Sequence, residues 1–158
     1  MEHEKLTETI IGCAMKVHRA LGPGFLESVY QNALAHELRK AGLRVECEKL
    51  IRVTYDDAVV GDFSADMLVE DVVMVENKAA QTLHPKNEAQ LVNYLTATGI
   101  EVGLLLNFGA EKLEFKRKHR TFRPKQGTEI GQDLQDGLEM PTQAFVSRPL
   151  SCASCASC

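Results

Sequence analysis

Between Thr7 and Leu21 the apolar residues Ile10, Ile11, Ala14, Met15, Val17 and Leu21 recur at helical spacing, and Gly22 stands where such a helix would stop. After a Gly22-Pro23-Gly24 turn, Leu26, Val29, Tyr30, Ala33, Leu34, Leu38 and Ala41 mark a second helix ended by Gly42. Each helix has one apolar face, so the pattern predicts a packed pair. The character then turns to short stretches rich in β-branched residues: Leu43 to Glu48, Leu50 to Tyr55, Phe63 to Val69 and Val72 to Ala79, separated by charged turns such as Asp56-Asp57. These predict three or four antiparallel strands. Pro85 suits the first position of a third helix, which runs through Leu91, Val92, Tyr94 and Leu95 to Gly99. Val102 to Phe108 is almost wholly apolar and fits a strand buried on both faces, and Leu113 to Arg117 reads as a closing strand. The resulting order is α, α, β, β, β, α, β, β.

Beyond Arg123 the period fails. Pro124, Gln126, Gly127, Gly131, Gln132, Gly137 and Pro141 are interspersed without an apolar face, so residues 1–122 read as one α/β domain and residues 123–158 as a disordered, low-complexity tail. Cys152, Cys155 and Cys158 end that tail in a short Ser-Cys-Ala repeat. Three thiols without an ordered scaffold or a clear fourth ligand are a poor metal site. Cys13 and Cys47 fall within periodic segments and are expected to pack as small apolar groups.

The bulk properties change this picture little. The 158 residues suffice for one domain with a real core, and 44% hydrophobic with 25% charged residues is an ordinary globular composition. No apolar run approaches the roughly 18 residues needed to cross a bilayer, and the acidic start Met1-Glu2-His3-Glu4-Lys5 does not read as a secretory signal, so a cytoplasmic address without membrane association is expected. The net charge of −4 lacks the Lys/Arg surplus of proteins that grip duplex nonspecifically. A local basic cluster, Lys112, Lys116, Arg117, Lys118, Arg120 and Arg123, could still meet phosphates, or could be the solvated face of an edge strand.

Candidate chemistry is concentrated between Asp66 and Lys78. An acid on one strand is followed by Glu76-Asn77-Lys78 on the next, and the period of two puts Glu76 and Lys78 on one face, with Val73, Val75 and Asn77 on the other. For Asp66 to share the face of Glu76, the turn at Glu70-Asp71 must have three residues or a bulge, which is expected to set Asp66 opposite Met74 and diagonal to Glu76. Asp62, on the same face by alternation, is a reserve ligand. Two carboxylates and a backbone carbonyl suit Mg²⁺ or Mn²⁺, which prefer oxygen ligands, and an ammonium beside them could orient a water or stabilise a pentacovalent phosphate. An edge-strand salt bridge would use the same residue types. Glu27 falls in the first turn of the second helix, where a carboxylate also stabilises the helix dipole, and Gln90 and Tyr94 stand one turn apart on the third. His84 is expected to cap that helix, and His18, His36 and His119 to be surface or boundary residues.

Together, GxxExxY at Gly24, Glu27 and Tyr30, then Asp66, Glu76-Asn77-Lys78, the QxxxY pair Gln90 and Tyr94, and the strand Gly103 to Gly109 resemble the GxxExxY proteins of the PD-(D/E)xK nuclease superfamily over residues 6 to 120. The resemblance implies an αβββαβ nuclease-like core with an extra N-terminal helix and a mixed sheet flanked by helices. It further implies Asp66, Glu76 and Lys78 as catalytic residues, a Mg²⁺ or Mn²⁺ site using Asp66, Glu76, Asn77 through its carbonyl, and Glu27, and Gln90, Tyr94 and Tyr30 as substrate-binding or positioning residues. Asn77 departs from the family, which more often has an apolar residue there; buried, its side chain needs a hydrogen-bond partner. Three functions follow: a metal-dependent nuclease acting on DNA or RNA, an inactive nuclease fold binding nucleic acid or protein, and a homo-oligomeric scaffold built on the helix pair.

Overall fold

The helical period near the start of the chain becomes α1 (Glu4–Leu21) and α2 (Glu27–Lys40) in the computed structural model, which describes residues 3–121. The tail and its three cysteines lie outside the described residues. Gly22 ends α1 with a positive φ (67°), its N–H donating to the carbonyl of His18 at 2.8 Å. The next elements are β1 (Val45–Tyr55), β2 (Ala58–Val69), β3 (Val73–Lys78), α3 (Pro85–Thr98), β4 (Val102–Asn107) and β5 (Glu114–His119). His84 caps α3 as expected, its Nδ1 accepting from the Lys86 N–H at 3.1 Å.

One sheet holds all five strands in the order β1-β2-β3-β4-β5. The first three are antiparallel, α3 carries the chain over to make β4 parallel to β3, and β5 closes antiparallel to β4. The sheet is therefore mixed, with helices on both faces. Alternation along β3 and β4 feeds two cores. Val73, Val75, Leu104 and Leu106 join Ile10, Leu34 and Leu38 beneath α1 and α2, while Met74 and Leu105 join Leu91 and Leu95 beneath α3. Every residue of β4 is buried, as its apolar run requires. Among the described residues no helix is long and apolar enough to cross a membrane.

The strand expectations need correction at three points. Leu43 to Glu48 and Leu50 to Tyr55 are one strand, because pairing to β2 runs on either side of Glu48. That strand begins at Val45, since Leu43 still donates to the Leu38 carbonyl at the end of α2. β2 reaches back to Ala58, because Asp56 and Asp57 both adopt positive φ (49° and 62°) and form a tight turn that pairs Tyr55 with Ala58. The resulting hairpin leaves Leu50, Tyr55, Val59 and Val60 exposed. His18 is not a surface residue. It is buried, with Nε2 hydrogen-bonded to the Ala110 carbonyl at 2.9 Å, tying α1 to the segment after β4.

Candidate functional site

The turn between β2 and β3 has the three residues that the shared face demands. Val69 pairs with Val73, and Glu70 and Asp71 take positive φ (51° and 59°) between them. The register runs through Leu68–Met74 to Met67–Val75, where the pairing ends with Asp66 next along β2 and Glu76 next along β3. Met74 therefore faces Leu68 and not Asp66, a correction of two residues.

A second irregularity lies at Asp66 itself. Met67 and Val69 belong to the core under α1 and α2, yet Phe63 and Ala65, of the same parity, belong to the core under α3. Cys47 and Ile51 on β1 are divided in the same way. The exchange of faces is centred where Glu48 adopts φ 53° and the ladder passes from Cys47–Met67 to Lys49–Ala65 without a Glu48–Asp66 pair. Asp66 Oδ2 instead accepts the Asn77 N–H at 2.7 Å, so a side chain takes a donor that an unbroken ladder would have used. The same break carries Asp62 away: it is exposed on the hairpin, opposite Arg52, and not beside the acids.

Glu76 and Lys78 share the face of Met74, toward α3, and the Lys78 Nζ donates to Glu76 Oε1 at 2.9 Å. The other carboxylate oxygen, Glu76 Oε2, is buried without a hydrogen-bond partner. Burial foremost, then the Asp66 charge, raises the Glu76 carboxyl above the ordinary carboxylate range despite Lys78. Asp66 is also raised by burial, against the opposing pull of the Asn77 N–H and Lys78; Glu48 adds a smaller repulsion. For Lys78 burial works against the charge, but the hydrogen bond to Glu76 and the charges of Glu76, Glu27 and Asp66 outweigh it, and its ammonium is held more firmly than usual. Glu27, exposed at the start of α2, thus reaches the centre through its field. Among the described residues no three His, Cys, Asp or Glu side chains close around one point.

Sequence reasoning missed Glu48, whose charge acts on Asp66. The available signal was the apparent break between two strands at that position.

The other candidates make their contacts away from the Glu76 and Lys78 side chains. The Tyr30 ring is buried, stacked on Phe108 with centroids 4.8 Å apart, and its hydroxyl donates to the Gly22 carbonyl at 2.6 Å. It holds the turn that presents Glu27. Gln90 donates to the Tyr94 hydroxyl, and the Tyr94 ring is stacked on Phe63 of β2. Asn77 is fully buried: its amide nitrogen meets only the Met67 sulfur at 3.4 Å, and its Oδ1 has no partner. The required hydrogen bonding is thus weakly met. In the basic cluster, Lys118 is paired with Glu88 and Arg120 with Glu101, so part of that charge is already neutralised.

Raised carboxyls make a prediction for the metal-free protein. A group whose folded pKa lies above its unfolded value stabilises the fold when protonated, and that contribution is lost as pH rises from about 4 through the folded value. Removing the Asp66 charge should relieve part of this loss. Asp66→Asn is expected to raise metal-free stability at pH 7 by roughly 1 kcal/mol, a few degrees in Tm, with the gain shrinking toward pH 4. Thermal unfolding with a chelator across that range measures it, and a gain independent of pH would count against the charge as its cause.

The fold and its centre define an α/β protein with a half-buried aspartate on one strand and a buried glutamate and a lysine on the next. A family model of the PD-(D/E)XK nuclease superfamily matches residues 4–118, and the chain belongs to that superfamily. No curated protein matches it. Among solved structures it is similar to the crystal structure of SSO0001, with a TM-score of 0.48 and 16% identity over 77% of this chain and 61% of that chain. The chain thus spans 61% of that protein's length.

Proposed function

We propose that the domain of residues 1–122 is a metal-dependent nuclease hydrolysing phosphodiester bonds of DNA or RNA, and that within its superfamily it is a GxxExxY protein. The observation that carries this reading is the placing of Asp66 and Glu76 on adjacent strands beside Lys78, with one Glu76 oxygen buried and unpartnered. A buried carboxylate oxygen without a donor is costly and suits a cation. Nucleases of this superfamily generally use divalent metals. Mg²⁺ is commonly held by one or two carboxylates with waters and substrate phosphate, so two acids and the Asn77 carbonyl are a sufficient set, with Glu27 as an outer acid. Such an ion supplies an activated water and neutralises phosphate charge.

The chain's own groups divide the remaining work. Asp66 and Glu76 hold the charge in place, and Asp66 is oriented by the Asn77 N–H. Lys78, kept protonated by its acidic neighbours, serves as a cation toward the developing phosphate charge and not as a proton acceptor. Gln90 and Tyr94, fixed to β2 through Phe63, position the substrate, and Tyr30 positions Glu27.

Calorimetric titration of Mn²⁺ at millimolar concentration tests the centre without knowledge of the substrate. Wild-type protein should bind with about one site, and Asp66→Ala should lose at least roughly tenfold in affinity. Equal binding by both proteins would remove Asp66 from the site. A second reading, a nuclease fold that binds nucleic acid without turnover, is favoured by the Lys78–Glu76 pair, which already engages one oxygen of the acid within the protein. It predicts nucleic-acid binding without cleavage in either Mg²⁺ or Mn²⁺.

A further inference from the structure

Resting on the metal-dependent reading above, we propose that Glu48 is a further acid of the cation centre, a positioning residue on β1 that holds the water shell of a divalent ion bound at Asp66 and Glu76.

The backbone singles this residue out. The ladder between β1 and β2 passes from Cys47–Met67 to Lys49–Ala65 and skips one residue on each strand, Glu48 and Asp66. Glu48 is held at φ 53°, a left-handed conformation that is costly for a residue with a Cβ and is not relieved here by glycine or asparagine. Irregularities of this kind re-aim a side chain and are over-represented next to active sites. Glu48 is not tied into the fold by its side chain. It is exposed and, among the described residues, makes no hydrogen bond or ion pair, whereas its neighbours Glu46 and Lys49 engage each other.

Charge selects a cation as the occupant. Glu48 acts on Asp66, Asp66 and Glu27 act on Glu76, and the ammonium that answers these carboxylates is Lys78. The acids thus outnumber the base. Glu76 Oε2, on a residue only 7% exposed, is left without a partner, and a cation satisfies it where an anion would be repelled. Among the described residues no three acids close around one point, so the fit is to an ion that keeps several waters, as Mg²⁺ and Mn²⁺ do. An acid at one remove then accepts from such a water instead of touching the ion, and partners of that kind are typically worth tenfold or more in metal affinity.

Calorimetric titration of Mn²⁺ into the full chain, without nucleic acid, tests the role. Glu48→Gln should bind about tenfold more weakly than wild type. Asp62→Asn, which removes the same charge from the exposed hairpin, should stay within about twofold, because exposed charges at a distance are screened. Glu48→Gly should lose as much affinity as Glu48→Gln while the metal-free Tm holds or rises, since glycine accepts the positive φ and the repulsion on Asp66 is gone. Wild-type affinity in Glu48→Gln, with binding still lost in Asp66→Ala, would overturn this role alone and leave the nuclease reading standing. An equal loss in Asp62→Asn would reduce Glu48 to a general charge effect, and a Tm lowered by several degrees in Glu48→Gly would make it a structural residue; either outcome also overturns the proposal. Absence of Mn²⁺ binding in the folded wild type would remove the cation centre, and the metal-dependent reading with it.

Discussion

Glu76→Ala should reduce phosphodiester cleavage about a thousandfold or more while leaving the protein folded. The expected loss is large because Glu76 does two things at one point. Its free oxygen is the buried acceptor that suits a cation, and its other oxygen holds the Lys78 ammonium at 2.9 Å. Alanine removes the acceptor and frees the ammonium at the same time. The fold should survive, since the side chain stands on the strand face beside the centre and its burial raises its carboxyl instead of stabilising its charge. Cleavage assays on single-stranded, duplex, branched and RNA substrates in Mg²⁺ and Mn²⁺, with circular dichroism of both proteins, measure the two halves of this expectation. Undiminished cleavage by the purified variant would place the chemistry elsewhere. Nucleic-acid affinity retained without cleavage in the wild type would favour the binding module.

Gly109→Ala should be the most damaging small substitution for stability, costing about 3 kcal/mol or more. A Cβ at this position would lie 2.5 Å from the Ala79 carbonyl carbon and from the nitrogen and oxygen of Ala80. These are backbone atoms, so no rotamer change can relieve the overlap. Nor can the segment withdraw freely: the Ala80 N–H donates to Asn107 Oδ1 at 3.0 Å, and the Gly109 N–H shares that acceptor at 3.1 Å. One face of the clash is the chain directly after Lys78, so protein that remains folded should also cleave more slowly. Urea unfolding and single-turnover cleavage test the pair. A loss below about 1 kcal/mol would show that the segment after β3 moves aside easily.

The three helices, their stops at Gly22, Gly42 and Gly99, and the buried strand β4 were legible because each rests on local chemistry: a period, a backbone freedom, a Pro at a first turn. The pairing of Glu76 with Lys78 was legible for the same reason, since alternation in one short strand suffices. His18 was misread because its environment is made by Phe108 and Ala110, far along the chain, and no neighbour in sequence announces them. Two tertiary contacts were also invisible: the Tyr30 hydroxyl turns back to Gly22, and the Tyr94 ring meets Phe63 of β2.

The sequence alone determined the order of elements and put Glu76 and Lys78 on one strand face, because residue type and periodicity are properties of the chain in isolation. Tertiary structure decided where Asp66 points. That depends on how β1 and β2 exchange faces at Glu48, a positive-φ residue with no glycine or asparagine to mark it, and on a register set by packing on both sides of the sheet. A single step of register moves a side chain to the other face, so the site exists only where two cores, one beneath α1 and α2 and one beneath α3, agree on that register.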